Sequence, residues 1–141
     1  MIPTKVIVEG TMRSYGPGVR EELITRVESA FKMTQQCGGE YELEIIRGEP
    51  ALKNDPVVND LIRESVNQVY PDCLITDVPF GLGGEDFGHV SQRVPAAMFF
   101  LGCGMSNGVT RSLHTPIFDI DERCLSMAVT ILVSTVQHFG K

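Results

Sequence analysis

Residues 81–87 read Gly-Leu-Gly-Gly-Glu-Asp-Phe, and the rest of the chain is best interpreted outward from this stretch. The three glycines remove the Cβ atoms from one side of a bend, so backbone N–H groups can approach a ligand closely. The residues that follow, from Glu85 to about Arg93, have a helical pattern. A glycine turn that leads into a helix presents free N–H groups to an anion, so the stretch predicts a carboxylate-binding loop. An ordinary loop with a helix cap is the alternative.

The composition of the 141 residues is that of an ordinary globular protein, with 43% apolar and 21% charged residues. The net charge is −6 and there is no run of lysine or arginine. This charge balance argues against nucleic acids and anionic membranes as the main partners. No segment approaches the roughly 18 consecutive apolar residues that a membrane span requires.

The cysteines and the first residues bear on the compartment. The four cysteines, which are Cys37, Cys73, Cys103 and Cys124, form no C-x-x-C pair, so the sequence predicts neither a zinc knuckle nor a thioredoxin-type site. Buried free thiols in a reducing compartment are the expectation. The first residues show no basic segment followed by an apolar run, so we predict no signal peptide and a cytoplasmic location.

The first third of the chain has the pattern strand, helix, strand. Residues 5–13 alternate in polarity, which predicts a half-buried strand with Arg13 on its polar face. Apolar residues from Val19 to Phe31 recur at helical spacing, and Gly38-Gly39 closes that helix. Residues 40–45 then alternate glutamates with apolar side chains, as a second strand does. Strand, helix and strand make half of a ferredoxin-like unit, which is too small to be stable alone.

The remaining two-thirds alternate helices with short strands, which predicts an α/β layer. After a linker at 48–56, Asp55 caps a helix that has Pro56 at its first position. Strands are predicted at 73–77 and 96–101, the latter covered on both faces because it is an unbroken apolar run. The predicted buried stripe of the first helix is Val57, Val58, Leu61, Ile62, Val66 and Val69.

The last helix, at about 122–138, is apolar around most of its circumference. A helix of this kind needs a larger sheet than the few short strands provide. Homo-oligomerisation or a missing partner segment would each supply the additional apolar surface.

Few side chains are candidates for chemistry. Arg13 is either a solvated arginine or a fork for a substrate carboxylate. His114 lies in a loop and is either a surface residue or a metal ligand. Glu85 and His89 are four residues apart beside Asp86, so a helix would place both on one face. A small metal site built from these three side chains and His114 is therefore an alternative.

Several segments, taken in order and spacing, resemble one enzyme family. They are Ile2-Pro3 with Gly10-Thr11-Met12-Arg13, Arg47-Gly48, Asn54-Asp55-Pro56, Gly83-Gly84-Glu85-Asp86-Phe87, Phe99-Phe100-Leu101-Gly102 and Leu113-His114-Thr115-Pro116-Ile117-Phe118-Asp119. The family is that of the zinc-dependent aminoacylases, N-acyl-amino-acid amidohydrolases and carboxypeptidases. The Gly-Gly-Glu-Asp-Phe form is most similar to the branch of hippurate hydrolase and the indole-acetyl-amino-acid hydrolases.

The resemblance implies roles for four residues. His114 matches a metal-ligand histidine, and the metal would be divalent, with zinc expected first and manganese or cobalt as alternatives. Arg13 matches the arginine that holds the free carboxylate of a small-molecule substrate. Gly83 and Gly84 match the glycines whose backbone lies beside that substrate. The resemblance implies no ligand role for the two acids that follow them.

The resemblance also implies a domain organisation. Residues 1–48 would be the second half of a ferredoxin-like lid that mediates dimerisation, and residues 49–141 the C-terminal part of an α/β exopeptidase catalytic domain. Family members are much longer, and their N-terminal half supplies the other metal ligands and the glutamate general base. We therefore expect no catalytic residue here and an inactive isolated chain. The alternative is a non-catalytic binding or dimerisation module.

Met1 stands where the family has a valine, and the asparagine that precedes this valine is missing. This suggests the hypothesis that a valine codon was taken for the start of the chain. In-frame upstream DNA that encodes an H-x-D metal motif would support the hypothesis, and a stop codon immediately upstream would exclude it.

Overall fold

The computed structural model describes residues 3–78, 81–106 and 108–139, so the Met1-Ile2 part of the resemblance lies outside it. Within these ranges the helices are α1 (Pro17–Gln36), α2 (Pro56–Val69), α3 (Gly88–Ser91) and α4 (Arg123–Phe139). None of them is long and apolar enough to cross a membrane. No strand is formed in the same ranges, so the α/β class remains a prediction.

The chain divides into two compact units. The first comprises Met1–Leu52 and Pro79–Val90, and the second comprises Lys53–Val78 and Ser91–Lys141. The glycine turn at 81–87 thus groups with the first residues of the chain, although it follows the start of the second unit in sequence. The predicted division into a lid half and a catalytic part at residues 48 and 49 remains a prediction.

In the first unit, α1 begins and ends where its sequence dictates. Pro17 occupies the first turn, where its missing N–H removes no helical bond. The helix ends at Gln36, and Gly38 has a φ of 78°, the left-handed conformation that glycine adopts without strain. The N–H groups of Cys37 and Gly38 donate to the carbonyls of Thr34 and Gln35, each at 3.1 Å. The predicted glycine stop is therefore confirmed.

Residues 41–49 lie along α1. The Phe31 and Tyr41 ring centroids are 5.9 Å apart, and Arg47 binds Glu21 through two bonds of 2.5 and 2.8 Å. This pairing with Arg47 lowers the pKa of the Glu21 carboxyl. The predicted two-faced pattern is present: the glutamates at 40, 42 and 44 are exposed, whereas the apolar residues at 41, 43 and 45 are half-buried.

The first predicted strand, by contrast, has no covered face. Val6, Ile7 and Val8 are 71–74% exposed, although the alternating pattern predicted one buried side. An alternating pattern specifies which side chains would face a covering layer, but burial also requires that another segment packs on that face. The described residues leave Val6, Ile7 and Val8 uncovered, so the expected burial of this segment is not observed.

The second unit is built on the packing of α2 against α4. Asp55 caps α2 as predicted, because its Oδ1 accepts N–H bonds from Val57 at 2.9 Å and Val58 at 3.1 Å. The core is formed by buried side chains of the two helices: Val58, Ile62, Val66 and Ile131. Val57 was predicted to be in this stripe, but it is 67% exposed. Consecutive helical residues point about 100° apart, so the face defined by 58, 62 and 66 leaves residue 57 outside.

In the predicted strand at 96–101, Ala97, Phe99 and Leu101 pack on the α2–α4 core. On the opposite face Ala96 is buried and Met98 is half-buried, whereas Phe100 is 58% exposed, so the predicted two-sided burial is found for the first part of the segment and not at Phe100. Asn54 fixes this segment through its side-chain amide. Its Nδ2 donates to the Met98 carbonyl at 2.8 Å, and its Oδ1 accepts the Met98 N–H at 3.0 Å. The amide thereby replaces a strand partner for Met98.

The fourth helix is buried on one face only. Its buried residues are Cys124, Ile131, Ser134 and Thr135. Its exposed apolar face consists of residues at helical spacing that are 51–70% exposed: Leu125, Val129, Leu132, Val133 and Val136. The described residues thus leave one apolar face of the helix uncovered, which agrees with the expectation that this helix needs more apolar surface than the short segments provide. A single neighbouring helix can cover only one side of it.

Candidate functional site

Arg13 and the glycine turn meet within the first unit. Nη1 of Arg13 donates to the Leu82 carbonyl at 2.7 Å, although the two residues are 69 positions apart in sequence. The same nitrogen lies 3.7 Å from the position that a Cβ on Gly84 would take. The Arg13 side chain is exposed, and its guanidinium makes no other hydrogen bond among the described residues. The structure therefore places a cationic fork directly over the glycine turn.

The turn itself is an open bend rather than a helix start. Gly81 has a φ of 98°, which side chains other than glycine rarely adopt. Helix α3 begins at Gly88 and not at Glu85, so the predicted helix over 85–93 is shortened to one turn. Glu85 Oε1 accepts the Phe87 N–H at 2.9 Å, and its carboxylate thus occupies one of the donors that the sequence had predicted to be free. Arg13 supplies the positive charge in place of a helix end.

Residues 49 and 50 support the end of this turn. His89 Nε2 lies 2.5 Å from Glu49 Oε2. Gly88 is buried so closely against Pro50 that a Cβ would collide with the Pro50 carbonyl oxygen. Only glycine fits at 88, because neither backbone can move away cheaply. The close packing fixes the far end of the turn relative to the segment that α1 holds.

His114 lies in a tight turn of the second unit and is exposed. Its φ of 61° is the only left-handed value of a non-glycine residue in the described part of the chain. This conformation costs roughly 1–2 kcal/mol for a residue with a Cβ. The turn is closed by Thr115 Oγ1, which donates to the Ser112 carbonyl at 2.8 Å, and by the Phe118 N–H, which donates to the Thr115 carbonyl at 3.1 Å. These bonds hold His114 at the surface in one orientation.

Further contacts hold the residues on either side of His114 in place. Arg111 Nη1 lies 3.8 Å from Asp119 Oδ2, and Arg111 Nε is buried without a hydrogen-bond partner among the described residues. Nearer the ends, the Asp121 N–H donates to the Cys103 carbonyl at 2.9 Å. Asp121 also accepts from Arg123 Nε at 2.9 Å, and this bond lowers the pKa of the Asp121 carboxyl to about 2.

The side chains proposed for an alternative metal site are not assembled. Across residues 3–78, 81–106 and 108–139, no group of three or more His, Cys, Asp or Glu side chains is arranged to hold a metal ion. Glu85 caps the Phe87 N–H and His89 pairs with Glu49, so each has another partner. Structural zinc takes four protein ligands and catalytic zinc three. The described residues therefore do not form a metal site by themselves, and His114 can contribute a single ligand at most.

Comparison with known proteins places the chain in a family. The model of Peptidase family M20/M25/M40 matches residues 3–138. The chain belongs to this M20 family. No solved structure matches it.

Several curated relatives of this M20 chain are named as hydrolases, amidohydrolases or deacetylases. It is 31% identical over 135 residues to a probable hydrolase of Synechocystis sp., covering 94% of the chain and 34% of the relative. A putative amidohydrolase of Bacillus subtilis gives the same identity and coverage. The N-acetyl-L-cysteine deacetylase of Bacillus subtilis is 26% identical over 142 residues, covering 98% of the chain and 32% of the relative. The chain thus spans about a third of the length of these relatives.

The structure adds residues that sequence reasoning about this M20 chain missed. Glu49 and Pro50 were assigned to a linker, yet they support the glycine turn. Arg111 belongs to no recognised motif. The sequence indicated its importance only through its position, three residues before His114. The predicted residues Arg13 and Gly84 meet in the first unit, Gly83 lies in the same turn, and His114 belongs to the second unit.

Proposed function

We propose that this chain is the C-terminal portion of a metal-dependent amidohydrolase, which hydrolyses the amide bond of N-acyl amino acids or small peptides. The M20 membership and the hydrolase relatives support the class of reaction. The contact between Arg13 and the glycine turn supports the class of substrate, because both features suit a free carboxylate.

The carboxylate-binding role follows from the geometry of the Arg13 fork. Its bond to the Leu82 carbonyl at 2.7 Å engages Nη1, and the planar guanidinium carries four further N–H donors. A carboxylate can accept two parallel bonds from such a fork, each roughly 1.5–3 kcal/mol for a charged pair. Gly84 has no side chain to fill the space beside Nη1, so the backbone of the turn forms the other wall.

His114 has a more limited role in this proposal. An exposed imidazole in a fixed turn suits a single metal ligand, and a divalent metal, zinc first, would supply a polarised water for amide hydrolysis. The described residues form no group of three or more metal-ligating side chains around it. We therefore propose that this chain supplies the residues that bind the substrate carboxylate, Arg13 and the glycine turn. The general base and the other metal ligands would belong to the remainder of the enzyme. The cytoplasmic location is part of the same proposal.

The test is a combined metal and activity measurement on the purified chain. We expect no stoichiometric tightly bound zinc, manganese or cobalt, and no hydrolysis of N-acetyl or N-benzoyl amino acids. Turnover that persists after dialysis without chelator, and that disappears in His114→Ala, would contradict the proposal that this chain lacks a complete site. Stoichiometric zinc without turnover would favour a self-contained metal site instead.

A second function is favoured by one observation. The exposed apolar face of α4 is typical of an interaction surface. A non-catalytic binding or dimerisation module would use it. A folded homo-oligomer that binds neither metal nor N-acyl amino acids would support this alternative. Binding of a carboxylate that depends on Arg13 would instead favour the proposal that the chain is the C-terminal portion of an amidohydrolase.

A further inference from the structure

Cys103 and Cys124 lie side by side in the second unit, although 20 residues separate them in sequence. The Cys103 carbonyl accepts the Asp121 N–H at 2.9 Å, and the Asp121 carbonyl accepts the Cys124 N–H at 3.0 Å. Asp121 thus links the two cysteine backbones through consecutive hydrogen bonds. The Cys103 side chain is near enough to the Cys124 thiol to contribute to the raised pKa of Cys124.

We propose that Cys103 and Cys124 form a reversible intrachain disulfide when the protein meets a hydroperoxide, and that this bond closes the segment carrying His114. Both thiols are free in the reduced chain. Their backbones are already linked through the hydrogen bonds of Asp121, which keeps the two cysteines in one region of the fold. Formation of the disulfide does not depend on the proposed function, whereas its consequence for His114 does.

The two thiols differ in a way that assigns their order of reaction. Cys103 is half-exposed, whereas Cys124 is buried. Burial raises the pKa of the Cys124 thiol, and the neighbouring Cys103 and the Asp121 charge raise it further. A raised pKa reduces the thiolate fraction, which is the reactive form. The peroxide therefore reaches Cys103 first, and Cys124 acts as the resolving thiol.

The chemistry balances with hydrogen peroxide as the oxidant. The Cys103 thiolate attacks one peroxide oxygen, which breaks the O–O bond, gives a sulfenic acid and releases hydroxide. The Cys124 sulfur then attacks the sulfenic sulfur, forming the S–S bond and expelling the oxygen as water. Overall two thiols and one hydrogen peroxide give one disulfide and two waters. A thiol reductant reverses the change.

The disulfide would constrain the His114 segment from both ends. In the reduced chain the ends are held by one hydrogen bond, from the Asp121 N–H to the Cys103 carbonyl, and by the 3.8 Å contact of Arg111 with Asp119. A covalent link reduces the opening motions of the segment that it closes. Oxidation would then restrict the motion of the segment, so His114 could adjust its position less when a ligand binds.

The test treats the reduced full chain with equimolar hydrogen peroxide, followed by peptide mass spectrometry. We expect a peptide pair joined through Cys103 and Cys124 that has lost two hydrogen atoms, and a fall from four free thiols to two. Cys37→Ser is the matched control, because Cys37 is exposed and outside the pair, and this variant should keep the bond. Cys103→Ser should abolish it, as should Cys124→Ala.

The outcomes separate the bond from its consequence. Oxidation that stops at sulfenic or sulfinic acid, or that joins chains only through Cys37, overturns the proposal. The measurement on the natural chain decides this even where the Cys124→Ala variant fails to fold. Amide hydrogen exchange over residues 104–122 should slow in the oxidised chain and recover after reduction. Unchanged exchange in a chain that carries the disulfide would refute the effect on the His114 segment alone.

Discussion

At the residue scale, Arg13 and His114 are two side chains that owe their positions to different causes. Arg13 is held by one carbonyl, that of Leu82, and the rest of its fork faces solvent. His114 is held by its own turn, in a backbone conformation that a residue with a Cβ adopts only at a cost. Both side chains are exposed and lie outside the buried core, so their substitution should change ligand binding more than stability.

Arg13→Ala should weaken the binding of N-benzoylglycine to the purified chain by roughly 10-fold or more, because a charged pair worth about 1.5–3 kcal/mol is lost. Arg13→Lys keeps the charge but not the fork, and should bind with intermediate affinity. Titration monitored by NMR measures the dissociation constants.

Arg26→Ala is the matched control, because Arg26 is exposed in the same unit and pairs with Glu22 one helical turn away. It should leave the affinity unchanged. Equal affinities for the Arg13→Ala and Arg26→Ala variants, or equal binding of the N-benzoylglycine methyl ester, would show that Arg13 does not hold the carboxylate.

At the element scale, the second unit depends on one helix pair. Ile131 of α4 is 1% exposed and packs among Val58, Ile62 and Val66 of α2. Polar contacts supplement this packing: Ser65 Oγ donates to the Leu61 carbonyl at 2.8 Å and lies 2.9 Å from Nδ1 of His138. Two of the buried polar side chains of the pair, Ser65 and Thr135, are thus hydrogen-bonded, and the apolar contacts provide most of the stability.

Ile131→Ala should lower the free energy of unfolding by about 2–5 kcal/mol, because it removes buried methylene and methyl groups and leaves a cavity. Urea denaturation followed by circular dichroism measures the change. Val57→Ala serves as the control, since Val57 lies on α2 but is 67% exposed, and it should change stability by less than about 0.5 kcal/mol. A similar loss for both variants would contradict the assignment of the core.

At the scale of the whole molecule, exposed apolar surface is the dominant feature. The exposed face of α4 runs from Leu125 to Val136 without a charged side chain. Continuous apolar patches on this scale mark interaction sites or cause association.

The isolated chain should self-associate through this face, with an average mass in sedimentation that rises with concentration. Leu132→Glu combined with Val136→Glu should shift the population towards the monomer, because association would bury two charges without partners. Gln137→Glu adds a charge on an exposed position of the same helix and should have little effect. A chain that remains monomeric at all concentrations would contradict the prediction.

The local features of this chain follow from its sequence. The cap at Asp55, the glycine stop after α1 and the alternation of residues 40–45 depend on neighbouring residues, and each is found as predicted. The family resemblance is likewise contained in short motifs in a fixed order, and the M20 match over residues 3–138 confirms the family.

Only the tertiary structure decided which of these features meet. Nothing in the sequence indicates that Arg13 reaches the Leu82 carbonyl, or that Cys103 lies beside Cys124, because such contacts depend on where distant segments pack. The same reason explains why the segment at 5–13 lacks its predicted burial and why one apolar face of α4 is uncovered. Periodicity specifies the apolar faces of residues 5–13 and α4, but burial requires a partner surface, and the described residues provide none for these faces.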